Sequence, residues 1–218
     1  VEVSTKNEDR VSRRRVDKFA ERRAELADAA LQTLAELGYA RTSLREIAQN
    51  SEFSHGVLHY YFTDKADLIT FCVRRYKTQC VARYDDILAG AATADELRDG
   101  FAGGLAVTLR EDATMHRLWY DLRNQSLFDP AFSADVRDID QSLQRMIWRI
   151  VDRYAELSRD RVLFSPETAY AVIDGLFHQA QRRQLAGDDT AAKHLEAEMV
   201  LLLPRLLTSC GLDQPAQP

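Results

Sequence analysis

The chain has 218 residues, 45% of them hydrophobic and 29% charged, a balance ordinary for a water-soluble globular fold. A net charge of −5 argues against nucleic-acid binding over the whole surface, and no apolar run is long enough to span a bilayer. The opening VEVSTKNEDR is too polar for a signal peptide, so a cytoplasmic protein with no membrane partner is expected.

Charge is unevenly spread. Between Arg10 and Arg23, the basic residues Arg10, Arg13, Arg14, Arg15, Lys18, Arg22 and Arg23 are opposed only by Asp17 and Glu21, and the acidic excess lies further on. Residues 1–15 are therefore expected to form a basic flexible arm that meets phosphate, although a frayed, solvated terminus has the same composition. The first helix is expected from about Val16 to Leu37, because Phe19, Arg23, Leu26, Ala30, Leu34 and Leu37 step by three or four. Gly38 ends it as a C′ residue.

The next segment is the most informative. Ser43 stands three residues before Glu46, the spacing of a capping box, so a short helix begins at Leu44 with Leu44, Ile47 and Ala48 inward. Gln49-Asn50-Ser51-Glu52 breaks the pattern, and Ser54 caps a second short helix, Gly56–Tyr61, packed through Val57, Leu58 and Tyr61. Thr63 or Asp64 then starts a long helix. Two short helices joined by a tight turn make a helix-turn-helix, whose second helix enters the major groove.

Residues of roughly 19 to 70 resemble the DNA-binding domain of the TetR family of transcriptional regulators. The resemblance rests on Ala29-Ala30, Gly38-Tyr39, Thr42-Ser43-Leu44-Arg45-Glu46-Ile47-Ala48, Ser54-His55-Gly56-Val57-Leu58-His59-Tyr60-Tyr61-Phe62 and Lys65-Ala66-Asp67-Leu68. It implies phosphate contacts from Thr42, Ser43, Ser54, Tyr60 and Lys65 to a double-stranded DNA operator. Base readout is expected from His55 and Val57, with Arg45 and His59 as further candidates, and Gly56 lets the helix approach the duplex. The chain departs from the family at His59, where a Tyr is frequent, and at Glu52, where Gly is usual in the turn. A left-handed turn residue other than Gly costs about 1 kcal/mol, and Glu52 adds a negative charge near phosphate.

Beyond Lys65, Ile69, Val73, Tyr76, Cys80, Tyr84 and Ile87 form one stripe of a helix reaching about Leu88. Cys72, Cys80 and Cys210 have no metal-ligand spacing and are expected as reduced thiols, the first two of them buried. Thr93 and Glu96 repeat the capping-box spacing and open a helix to Leu109, weakened by Gly100, Gly103 and Gly104 unless something approaches closely there. An aromatic segment, Thr114–Phe128, follows. Asp129-Pro130 restarts helix, with Val136, Ile139, Leu143, Ile147, Ile150, Val151 and Tyr154 inward. Ser165-Pro166-Glu167 starts another, closed by Gly187. The last helix is kinked at Pro204 and ends at Gly211. Residues 212–218 are expected to be disordered. The block Trp119–Ile150 also looks similar to the ligand-binding domains of a BetI-like branch of the same family.

The expected fold is all-α with about nine helices: a helix-turn-helix domain over residues 16–64, then a helical ligand-binding and dimerisation domain over 65–211. Phe101, His116, Trp119, Tyr120, Arg123, Phe128 and Trp148 are the candidates for binding a small-molecule effector, since aromatic residues interleaved with a few polar ones suit a pocket; solid core is the rival reading. Ile173, Leu176 and Ala180 with Leu195, Met199, Leu202 and Leu206 form two apolar stripes expected to meet a second copy in a four-helix homodimer interface, unless both face the protomer's own core. His55 and His59 lie one helical turn apart as metal ligands can, but no third ligand suits them, and no metal, cofactor or catalytic set is expected. The resulting expectation is a homodimeric, ligand-responsive transcriptional repressor rather than an enzyme. The alternative is a helical ligand-binding or interaction protein with a degenerate helix-turn-helix.

Overall fold

The structure, a computed structural model, describes residues 2–38 and 42–208, with only the backbone of residues 2–15, Gln32 and Ala35. Among these residues the fold is all-α. Eight helices follow in order: α1 (Glu2–Leu37), α2 (Leu44–Gln49), α3 (His55–Tyr61), α4 (Lys65–Gly90), α5 (Ala94–Gln125), α6 (Ser133–Ser158), α7 (Pro166–Leu185) and α8 (Ala191–Leu202). A 3-10 turn at Pro130–Phe132 leads into α6, and another at Leu203–Leu206 carries Pro204; there α8 ends instead of kinking and running on as helix, because Pro204 has no N–H to continue the ladder and Leu207–Thr208 are extended. A two-residue pair, β1 (Arg161–Val162) and β2 (Leu207–Thr208), runs antiparallel with Arg161 opposite Thr208.

Two compact units result, one made of the chain up to Arg75 with Leu118–Ser133, the other of Tyr76–Arg117 with the chain from Ala134 on. In the first, α1 packs against α2 and α3 through Leu26, Ala30 and Leu34, which are fully buried with Ile47, Leu58, Leu68 and Ile69. In the second, all seven inward residues expected for α6 are buried, and α7 packs on α8.

The caps follow the sequence. Ser43 Oγ accepts the Glu46 N–H while the Glu46 carboxylate accepts that of Ser43, closing the capping box. Thr93 and Glu96 do the same at α5. Ser54 and Ser165 cap α3 and α7. Gly38 has φ +75°, and its N–H donates to the Leu34 carbonyl, as a C′ glycine does.

Two further boundaries differ from expectation. First, α1 starts at Glu2 rather than about Val16, because residues 2–15 hold no Gly or Pro to stop it; the side chains of Arg10, Arg13, Arg14 and Arg15 lie outside the described residues. Second, α5 does not stop at Leu109 but continues through the aromatic segment to Gln125, which makes eight helices of the expected nine. Its glycines are seats for neighbours rather than breaks. A Cβ on Gly104 would stand 2.7 Å from Ile87 Cδ1, and one on Gly100 would stand 3.2 Å from Ile87 Cγ2, so α4 lies close against α5 there. Cys210, Gly211 and the tail 212–218 lie outside the described residues.

Candidate functional site

The helix-turn-helix is built outward from buried anchors. Leu44 and Ile47 of α2 and Leu58 of α3 are buried, which turns Ser54, His55, Gly56, His59 and Tyr60 to solvent and leaves Val57 half-exposed. The rings of His55 and His59 meet edge-on at 4.4 Å. Ser43 and Arg45 are exposed on α2 and its cap. Lys65 is half-buried at the start of α4; burial lowers its pKa, and Glu46 and Asp121 act against that.

Two expectations need correction. Thr42 is only 3% exposed and its hydroxyl donates to the Gly38 carbonyl at 2.6 Å, so it seats the end of α1 against α2 rather than facing phosphate. Glu52 does not adopt a left-handed conformation. Arg159 is the non-glycine residue with positive φ among the described residues, so Glu52 carries no strain of that kind. The turn closes without a glycine because the Asn50 side chain donates to the Glu46 carbonyl and the backbone N–H of Phe53, itself buried, donates to Ser51 Oγ.

Several supports were not singled out from the sequence. Phe53 lies under the Arg22 guanidinium at 4.8 Å. Arg23 is no free member of the basic run: it donates to Asp67, and its guanidinium lies 4.8 Å from the Phe62 ring and 4.5 Å from that of Phe71. Phe19 stacks on Tyr61 at 4.7 Å and meets Tyr60 edge-on at 6.1 Å. Arg75 pairs with Asp28, and the Cys72 thiol donates to the Ala27 carbonyl. Burial above all pushes the pKa of Cys72 up, as it does for Cys80, so both are inert thiols.

The seven candidate effector residues do not fall in one unit. Trp119, Tyr120, Arg123 and Phe128 belong to the first, Phe101, His116 and Trp148 to the second. Trp119 and Tyr120 are buried, with the Arg123 guanidinium 5.7 and 5.8 Å from their ring centres. Phe128 is 85% exposed in the turn after α5 and lines no interior pocket. In the second unit Phe101 is fully buried against Tyr84, Trp148 is half-buried, and His116 is buried.

That second unit also holds a network of polar side chains. Arg83 donates to Thr108 and to Asp112, Tyr84 Oη lies 2.9 Å from Thr108 Oγ1, and the Gln181 amide donates to the Ala113 carbonyl at 2.8 Å. Lys77 Nζ is 2.9 Å from His116 Nδ1. Lys77 escaped the sequence reading, yet it sits four residues after Val73 and three before Cys80, within the span of the apolar stripe.

The dimer candidates are largely inside the protomer. Ile173, Ala180, Leu195, Met199 and Leu206 are buried, and Leu176 and Leu202 are half-buried, because α7 and α8 bury these stripes in their own unit. The face they leave outward carries Val172, Leu185 and Leu201 together with Gly175 and Ala197.

Residues 26–70 match the model of the bacterial regulatory proteins of the tetR family. Over 193 residues the chain is 30% identical to the HTH-type transcriptional regulator BetI of Burkholderia mallei, covering 85% of this chain and 95% of that protein. The chain belongs to the TetR family. It is therefore a DNA-binding transcriptional regulator, and the matched residues take in α2, α3 and the start of α4. Solved structures of other regulators share the fold. A regulator of Saccharomonospora viridis in complex with choline superposes with a TM-score of 0.72 at 17% identity, covering 86% of this chain and 98% of that one. The regulator FadR of Bacillus subtilis in complex with stearoyl-CoA gives 0.69 at 17% identity, covering 83% and 96%.

Proposed function

We propose that the protein is a homodimeric, ligand-responsive repressor that binds a pseudo-palindromic operator through α3. The observation that carries this is the face of α3: buried Leu58 behind, and His55, Gly56, His59 and Tyr60 together in front. Phosphate contacts fall to Ser43, Ser54, Tyr60 and Lys65, and base contacts to His55, Val57, Arg45 and His59. Residues 16–64 serve as the DNA-binding part and 65–211 as the ligand-binding and dimerisation part. The cell interior, where the operator is, is its place of work; no helix among the described residues is long and apolar enough to cross a membrane.

Dimerisation is proposed through the outward faces of α7 and α8, where Val172, Leu185 and Leu201 are exposed beside small residues that let helices approach. Choline and stearoyl-CoA in the two fold neighbours support a small-molecule effector here, with Phe101, His116 and Trp148 as the candidates that share a unit. Helix α4 is one continuous element from Lys65 to Gly90, suited to carry a response to the recognition helices. Such coupling is typically ~1–3 kcal/mol and reciprocal.

The test is a gel shift with a palindrome from the protein's own upstream region against random duplex at moderate salt. Preference for the palindrome, with a two-protomer complex, is expected. Equal affinity for both duplexes would sink the reading.

A further inference from the structure

Phe19 lies on α1 one helical turn before Arg23 and on the same face. Arg23 is tied to Asp67 of α4 and covers Phe62 and Phe71, which fixes where that face passes the end of α3. The Phe19 ring lies over that of Tyr61 at 4.7 Å, with the planes 33° apart, and meets Tyr60 edge-on at 6.1 Å. Tyr61 itself stands edge-on to Tyr60 at 4.9 Å. Three rings from two helices are thus in mutual contact, in the offset and edge-to-face arrangements that aromatic pairs prefer.

Fold stability alone asks little of this cluster. Phe19 is 40% exposed and Tyr60 73%, while Leu26, Ala30 and Leu34 are fully buried and already seat α1 on α2 and α3. A leucine would serve as an apolar spacer there. What a leucine does not supply is a flat face for Tyr61 and an edge for Tyr60. A tyrosine that is mostly in water samples several rotamers, and that freedom is lost when its hydroxyl meets a ligand. The two rings against Tyr60 narrow the choice before DNA arrives, which lowers the ordering cost of the contact.

We infer that Phe19 is a positioning residue for DNA binding: with Tyr61 it holds the Tyr60 ring in one orientation, ready for its hydroxyl to donate to a backbone phosphate. This rests on the reading of Tyr60 as a phosphate contact. A phosphate carries no sequence, so the effect of Phe19 is the same on every duplex. The hydroxyl is uncharged and displaces no counterion, so it leaves the salt dependence alone, in contrast to Lys65.

The experiment is a double-mutant cycle in the full chain, with affinity measured on a random duplex and on the upstream palindrome at several salt concentrations. Tyr60→Phe, which removes one atom, should weaken both duplexes at least about fivefold. Phe19→Leu should weaken both about threefold to tenfold where Tyr60 is intact, and change nothing in the Tyr60→Phe background. Phe19→Tyr keeps a ring and should bind like the parent. The slope of log K against log salt should be the parent's in every variant. If Phe19→Leu does not fold, Phe19→Met replaces the ring with another flexible apolar chain and carries the same comparison. An equal loss from Phe19→Leu in both backgrounds makes Phe19 a helix spacer and overturns the inference alone. Undiminished binding by Phe19→Leu overturns it too. Tyr60→Phe binding like the parent removes the phosphate contact itself, and the positioning role falls with it. Coupling between the two residues on both duplexes upholds the role of Phe19 even where the palindrome is not preferred, and then it is the operator reading that fails.

Discussion

Arg23 on α1 donates to the Asp67 carboxylate on α4, and the same carboxylate accepts the backbone N–H of Thr63 at 3.0 Å just ahead of that helix. One acid therefore joins the first helix to the segment between α3 and α4, while the Arg23 guanidinium covers the faces of Phe62 and Phe71. Charge-assisted hydrogen bonds of this kind contribute about 1.5–3 kcal/mol. Asp67→Ala should lower stability by roughly that amount, read from urea midpoints. Arg23→Lys should recover only part of the loss of Arg23→Ala, because an ammonium cannot cover two rings and pair with the carboxylate at once.

His55 and Lys65 should differ in kind. His55 is exposed on the outward side of α3, so His55→Ala should relax base preference at one operator position and leave random-DNA affinity near that of the parent. Lys65→Ala should weaken all duplexes about equally and reduce the slope of log K against log salt by about 1. A binding-site selection with each variant, and titrations at several salt concentrations, check both. A uniform loss for His55→Ala would assign it to phosphate instead.

Local signals were the legible ones. Capping pairs such as Ser43 with Glu46 and Thr93 with Glu96 lie within four residues, and the hydrogen bonds they imply are present. The stripe of α6 was readable for the same reason. What sequence spacing does not carry is which side of an apolar stripe meets which neighbour. Ile173 and Met199 step correctly along α7 and α8, yet they face inward, because the burial of a helix face is settled by partners distant in sequence. Gly100 and Gly104 read as weak points until Ile87 of α4 is seen against them. Lys77 drew no reading at all, because composition gives no sign that a lysine's amine will meet an imidazole from another helix. At the candidate DNA interface, the exposed face of α3 followed from Leu58 and its neighbours. The inward turn of Thr42 depends on the Gly38 carbonyl and did not.

The outward and inward faces of α7 and α8 predict opposite phenotypes. Val172→Glu and Leu201→Glu place charge on exposed positions, so each should halve the mass seen by light scattering while the protomer stays folded. Ile173→Ala removes a buried side chain, and it should cost ~2–5 kcal/mol of stability whatever the oligomeric state. If Val172→Glu and Leu201→Glu both keep the parent's mass, the interface lies on another face.

His116 should make stability fall on mild acidification. Its imidazole is buried and its pKa held well below 6.5, by burial first and then by the neighbouring Lys77 and Arg83. In the unfolded chain the same ring takes up a proton near pH 6.5. Below that pH the unfolded state therefore binds one more proton than the folded one, and stability is lost as pH falls. The loss approaches ~1.4 kcal/mol per pH unit until the folded pKa is reached. Asp188 does not enter this window. The hydroxyl of Thr190 first, then Arg183, holds its pKa at about 2, so its contribution is present above its ordinary carboxylate range and fades only in stronger acid. Urea unfolding at about pH 7.5, 6.5 and 5.5 should show the decline, and His116→Asn should flatten it, since an amide has no proton to gain. A slope unchanged in that variant would assign the acid sensitivity to another group.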